Sequence, residues 1–152
     1  MNMNINEILE KVKVVCKNIS DNDSGIWHTS EWNICSHIQS GLVYAFPEYN
    51  LDVELIKHDG RRPDIVIHHR GNNTDNLVVF QVKIRPTAKD LQDDMDKINE
   101  TFFAEPYNYK FGVLISIGQL PKKLPEFDKG KVGILEVYGW ALDETTRDPV
   151  TL

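Results

Sequence analysis

Three polar side chains interrupt stretches that are otherwise apolar: Asp64 at the head of 64–69, and Gln81 and Lys83 near the end of 77–83. Side chains alternate between faces along a strand, so Gln81 and Lys83 project from one face and Val82 from the other. An ammonium taken out of water without a partner is costly or gives up its proton. Lys83 therefore calls for a carboxylate or a phosphate nearby. The stretch between the two segments, Gly71-Asn72-Asn73-Thr74-Asp75-Asn76, has the composition of a hairpin loop. If it joins neighbouring antiparallel strands, Asp64 lies across from Gln81 and Lys83. Pairing 64 with 83 sets the turn midpoint at about 73.5, inside that loop. Two chemistries are then open: a structural Asp64–Lys83 ion pair, or a site that acts on a phosphate.

These residues need a frame, and the rest of the chain supplies its elements. Ile5, Ile8, Leu9, Val12 and Val15 follow the spacing of an amphipathic helix over 5–18, and 21–25 (Asp-Asn-Asp-Ser-Gly) ends it as a loop. A second helix is expected over about 30–46, capped by Thr29 or Ser30, with Cys35, Ile38 and Leu42 facing inward. Glu31 lies four residues before Cys35 on that face, where it either complements the helix dipole or reaches a polar site. Strands are expected at 51–57, 64–69 and 77–83, the last nearly continuous in apolar residues and so central. Thr87 can cap a third helix with the stripe Leu91, Met95, Ile98 and Phe102. Strands at 111–117 and 131–138 follow, and the polar tail after Trp140 is expected to be loose. The order helix, helix, three strands, helix, strand, strand describes an α/β mixed sheet with helices packed against it.

Composition sets the outer limits. The 152 residues match one domain, 1–152, with a core at about 30–139 and no internal repeat or linker. No apolar run is long enough to span a membrane, and the opening residues lack the pattern of a signal peptide. A cytoplasmic location is the expectation. Cys16 and Cys35 are too few for a disulfide framework or a zinc site and read as small semi-buried apolar residues. Acids outnumber bases 23 to 17, a net charge of −6. That balance opposes tight binding to duplex nucleic acid by this domain alone, unless a protein partner or a second copy supplies basic surface.

The segments Arg62-Pro63-Asp64 and Val78-Val79-Phe80-Gln81-Val82-Lys83, with a turn between them, resemble the PD-(D/E)XK, or restriction-endonuclease-like, nuclease superfamily. Together with Asp52-Val53-Glu54 they are similar to an uncharacterised bacterial branch of it, over roughly residues 30–100. The resemblance implies an αβββαβ core and hydrolysis of nucleic-acid phosphodiesters, DNA first, with Mg²⁺ or Mn²⁺. It assigns Asp64 as a metal ligand through hard carboxylate oxygen. Lys83 becomes the lysine that positions the attacking water and steadies charge on the phosphate. Glu31, or alternatively Glu54, is the acid that completes the metal site, and the Val82 carbonyl is a further ligand. Gln81 departs from the pattern, because the superfamily usually carries Asp or Glu there. Some members resembling the Mrr type also read Gln-x-Lys and are regarded as active. The alternative is a degenerate, non-cleaving member that binds protein or nucleic acid.

Other polar residues carry less weight. His68 and His69 are adjacent and cannot chelate one ion together from a strand, although His68 shares the face of Asp64. Asp90, Asp94 and Lys97 read as one solvated helix side, with Lys89 either solvated or touching a phosphate backbone. Trp27, Trp32 and Trp140 read as core or interface.

Overall fold

The computed structural model describes residues 3–53, 63–71, 73–137 and 150–151. Helix α1 (Ile5–Asp23) begins at Asn4, whose side chain accepts the Glu7 N–H. It runs past the expected end at residue 18, because nothing before Gly25 breaks it and Asn22 Nδ2 donates to the Asn18 carbonyl. The chain then closes a 3₁₀ turn, Ser24–His28. Helix α2 (Glu31–Ala45) follows, with Ser30 Oγ accepting the Asn33 N–H.

Strands β1 (Asn50–Val53), β2 (Ile65–His68) and β3 (Val78–Ile84) form an antiparallel meander. The expected strand 51–57 is therefore seen to residue 53, and Glu54 lies outside the described residues. Helix α3 (Ala88–Lys97) opens on a capping box: Thr87 Oγ1 accepts the Asp90 N–H, and Asp90 accepts the Thr87 N–H. A π turn, Ile98–Phe102, extends it. Strands β4 (Phe111–Ile117) and β5 (Val132–Val137) add in parallel. From the tail, Val150–Thr151 returns as β6, antiparallel to β5, where a loose segment was expected. The strand order is β1-β2-β3-β4-β5-β6 in one mixed sheet. Among the described residues no helix is long and apolar enough to cross a membrane.

Two apolar layers sandwich the sheet. Ile65, Ile67, Val78, Phe80, Val82, Val113, Ile115, Leu135 and Val137 pack with the buried stripes of α1 and α2. Val66, Val79, Leu114, Val132 and Ile134 pack on the other side with Leu91, Met95, Ile98 and Phe102. Both cysteines are buried, as is Trp27, whereas Trp32 is 59% exposed and belongs to no core. Trp140 lies outside the described residues. Two glycines let α1 approach closely. A Cβ at Gly41 of α2 would overlap Val15, and one at Gly133 of β5 would overlap Leu9.

Candidate functional site

β3, β4 and β5 run parallel, so their carboxyl ends meet at one edge of the sheet, and β2, antiparallel to β3, begins at that same edge. On the α3 side the strands change character there. Val79 gives way to Gln81 and Lys83, Leu114 to Ser116, and Ile134 to Glu136, with Lys83 level with Ser116 and Ser116 level with Glu136. In open α/β sheets this end is where ligands commonly bind.

Asp64 reaches the edge from β2. Its carboxylate accepts the Val82 N–H at 2.7 Å, and its own N–H donates to the Phe80 carbonyl at 3.2 Å. The ladder pairs Ile65 with Phe80 and Ile67 with Val78, so Asp64 is level with Gln81, not with Lys83 as the symmetric hairpin predicted. The slip is two residues. The faces are therefore preserved, because a strand repeats every two residues. The connection is held both within itself and from outside: Asn76 Nδ2 donates to Asn73 Oδ1 in the loop and to the Tyr107 carbonyl beyond it.

Lys83 is the centre of charge. Its Nζ lies 4.0 Å from Asp94 Oδ1 of α3. Burial draws its pKa down, but the carboxylates of Asp94, Glu31, Asp64 and Asp90, in that order, more than offset this, and the net shift is upward. The ammonium therefore stays charged. Asp64 is therefore one of several acids around Lys83, with Asp94 acting on it most strongly and Glu31 joining from α2. Glu31 thus belongs to the electrostatic environment of the lysine, as its place on the inward helix face suggested.

Asp94 overturns an expectation. It is 1% exposed, the reverse of a solvated face. Burial raises its pKa to about 6 against the lowering effect of Lys83 and Lys97, the latter 3.8 Å away. Both members of the Asp94–Lys83 pair move upward, which an isolated ion pair would not do. The acid is fully enclosed while the lysine is a third exposed, so dehydration dominates at one end and attraction at the other. Asp94 Oδ2 accepts no hydrogen bond from the described residues, and the buried Gln81 Nε2 finds no acceptor among them. A sequence signal for Asp94 existed: it is three residues after Leu91 and four before Ile98, inside the apolar stripe itself. The expectation for Asp90 and Lys97 holds better. Asp90 serves the capping box, and Lys97 is partly exposed. Lys89 is exposed and pairs with Asp93 at 2.9 Å.

His68 stays apart from this cluster. It is buried against Asp52 at 2.7 Å, and Arg70 holds the same carboxylate at 2.8 Å. The Arg70 hydrogen bond is the main reason the Asp52 pKa is lowered. His69 turns away to stack on Tyr49 and pair with Asp75.

The oxygen groups that the resemblance assigns to a metal at this edge include the Asp64 carboxylate, the Gln81 amide and the Val82 carbonyl. They are all hard. Among the described residues no three His, Cys, Asp or Glu side chains converge tightly enough to hold a metal ion by themselves. Hard oxygen donors are the kind that Mg²⁺ takes, one or two carboxylates at a time with waters retained. Comparison with known proteins returned no matching family model, no matching curated protein and no matching solved structure.

Proposed function

We propose that this chain is a metal-dependent phosphodiesterase acting on nucleic acid, built on a restriction-endonuclease-like core. The reading is supported above all by one observation: the charged Lys83 ammonium stands at the carboxyl end of β3 amid Asp94, Glu31 and Asp64. The order of α2, three antiparallel strands, α3 and a parallel strand agrees with it. In this reading Asp64 is the principal metal ligand, held in place by the Val82 N–H, with the Gln81 amide oxygen, the Val82 carbonyl and Glu31 contributing, and Glu54 a further candidate. A bound Mg²⁺ or Mn²⁺ would polarise the phosphoryl oxygen as a Lewis acid. Lys83 would orient the attacking water and balance charge growing on the phosphate. Its charge is secured beforehand by the surrounding acids.

Calorimetric titration of Mg²⁺ and Mn²⁺ into wild type and Asp64→Ala tests the assignment. Binding by wild type that vanishes in the variant is expected, with divalent-dependent cleavage of single- or double-stranded DNA lost in parallel. Full cleavage by Asp64→Ala would overturn it.

A second reading is favoured by Gln81 and by the lack of a three-acid group among the described residues. It makes the chain a non-cleaving module whose acidic surface, at net charge −6, meets a protein partner or a second copy. That reading predicts no rise in melting temperature with Mn²⁺.

A further inference from the structure

Around the corner from Lys83 the sheet edge opens into a cavity of about 180 Å³. Its walls come from Trp27, Ile84 and Ile117, and its polar groups from His28 and Arg85. Four features mark it as a built pocket. Trp27 is buried, and its ring is fixed by the Nε1–H donated to Ser20 Oγ at 3.0 Å. Ile84, the residue after Lys83, leaves an unusually large apolar side chain exposed at the rim. Arg85 adopts φ +47°, a left-handed backbone that non-glycine residues rarely take, directly before Pro86, where an extended backbone is the norm. Such strain at a residue that caps a strand end is often kept for what the side chain does. Gly118, at φ +101°, makes the arrangement possible, since a Cβ there would press on Arg85 Cγ at 3.2 Å. The Arg85 guanidinium forms no ion pair with any described residue.

The pocket therefore combines apolar walls with a cation that pairs with none of the described residues. Its neighbours in sequence are Lys83, two residues before Arg85, and Glu31, three after His28. We propose that this cavity binds one nucleotide of the nucleic-acid chain next to the phosphate at Lys83: the base lies against Trp27, Ile84 and Ile117, and Arg85 holds its phosphate. Apolar contact to a base combined with Arg contact to the backbone is how single strands are held without sequence readout. It rests on the phosphodiesterase reading and adds to it a preference for unpaired strands, because a base in a stacked duplex could not enter.

The test follows the Trp27 indole N–H resonance while thymidine 5′-monophosphate, thymidine and inorganic phosphate are titrated separately. The mononucleotide is expected to shift that resonance saturably and to bind at least about tenfold more tightly than either fragment. Arg85→Gly relieves the left-handed backbone, so it should fold with an unchanged or higher melting temperature and weaken the mononucleotide by about tenfold or more. Asp64→Ala should bind the mononucleotide as wild type does, which separates this pocket from the metal assignment. Equal binding of phosphate and mononucleotide, an unmoved Trp27 resonance, or wild-type affinity in folded Arg85→Gly would each overturn the proposal. Mononucleotide binding without any divalent binding would instead retain the pocket and remove the hydrolytic reading.

Discussion

The two faces of the sheet are drawn from the same strands, alternate residues going to each, yet they are built to different standards. Toward α1 and α2 every buried strand position is apolar from end to end. Toward α3 the apolar positions stop partway, and the carboxyl ends carry Gln81, Lys83, Ser116 and Glu136. The buried Asp94 faces them from the helix. One face obtains stability from burial alone. The other gives up part of that burial to hold charge out of water, where electrostatic interactions are strong and unpaired groups are costly. The difference teaches where to look: chemistry is concentrated where a core-forming pattern is broken, and the opposite face shows what the unbroken pattern would have been.

The contrast can be broken most severely on the dry face. Phe80→Ala removes a fully buried ring at the centre of the sheet and should cost about 3–5 kcal/mol, read as a fall in the urea midpoint. Its neighbours along β3 on the other face, Gln81 and Lys83, should not approach that loss. Overfilling the same face should cost less. Gly133→Ala drives a methyl into the Leu9 isopropyl group, for an expected loss of about 1–3 kcal/mol in the same assay.

On the polar face the sign reverses. The Asp94 carboxyl is raised to about 6 in the folded protein by burial, above its ordinary value. The native state thus holds a proton that the unfolded chain has released, and stability falls as pH rises from about 4 to about 6. Asp94→Asn removes that cost but leaves Lys83 and Lys97 with one acid fewer. We expect it to stabilise the protein at pH 7 by on the order of 1–2 kcal/mol and to give no gain at pH 4. Melting curves at both values decide it. The smallest effect sharpens the comparison from the dry side. Burial pushes the Cys16 thiol up to about 12, so native protein should not react there with a thiol reagent at pH 8, while urea-unfolded protein should.

Much of this was legible in the sequence. The period of two on β3 placed Gln81 and Lys83 on one face, and the Thr87 cap and the choice between Thr29 and Ser30, which falls on Ser30, set two helix starts. Glu31 was flagged by its position on an inward stripe. What escaped depended on contacts distant in the chain. The hairpin register departs from the symmetric turn by two residues, and the connection makes a bond no local turn rule contains, Asn76 to Tyr107. Asp94 was misjudged because charged residues crowd that helix, and its place between Leu91 and Ile98 was outweighed by its polarity. Arg85 and its pocket required the strand end, the 3₁₀ turn and Gly118 to meet, and none of those announces the others.

The close fit of α1 has a consequence for how the protein is made. Leu9 is seated against Gly133 and Val15 against Gly41, so the groove that receives α1 is complete only once β5 has joined the sheet. Its two seats are made at different times, since α2 with Gly41 follows α1 directly in the chain and β5 with Gly133 comes far later. During synthesis α1 can therefore pair with α2 early, while the part of its stripe that meets β5 stays uncovered until that strand joins the sheet.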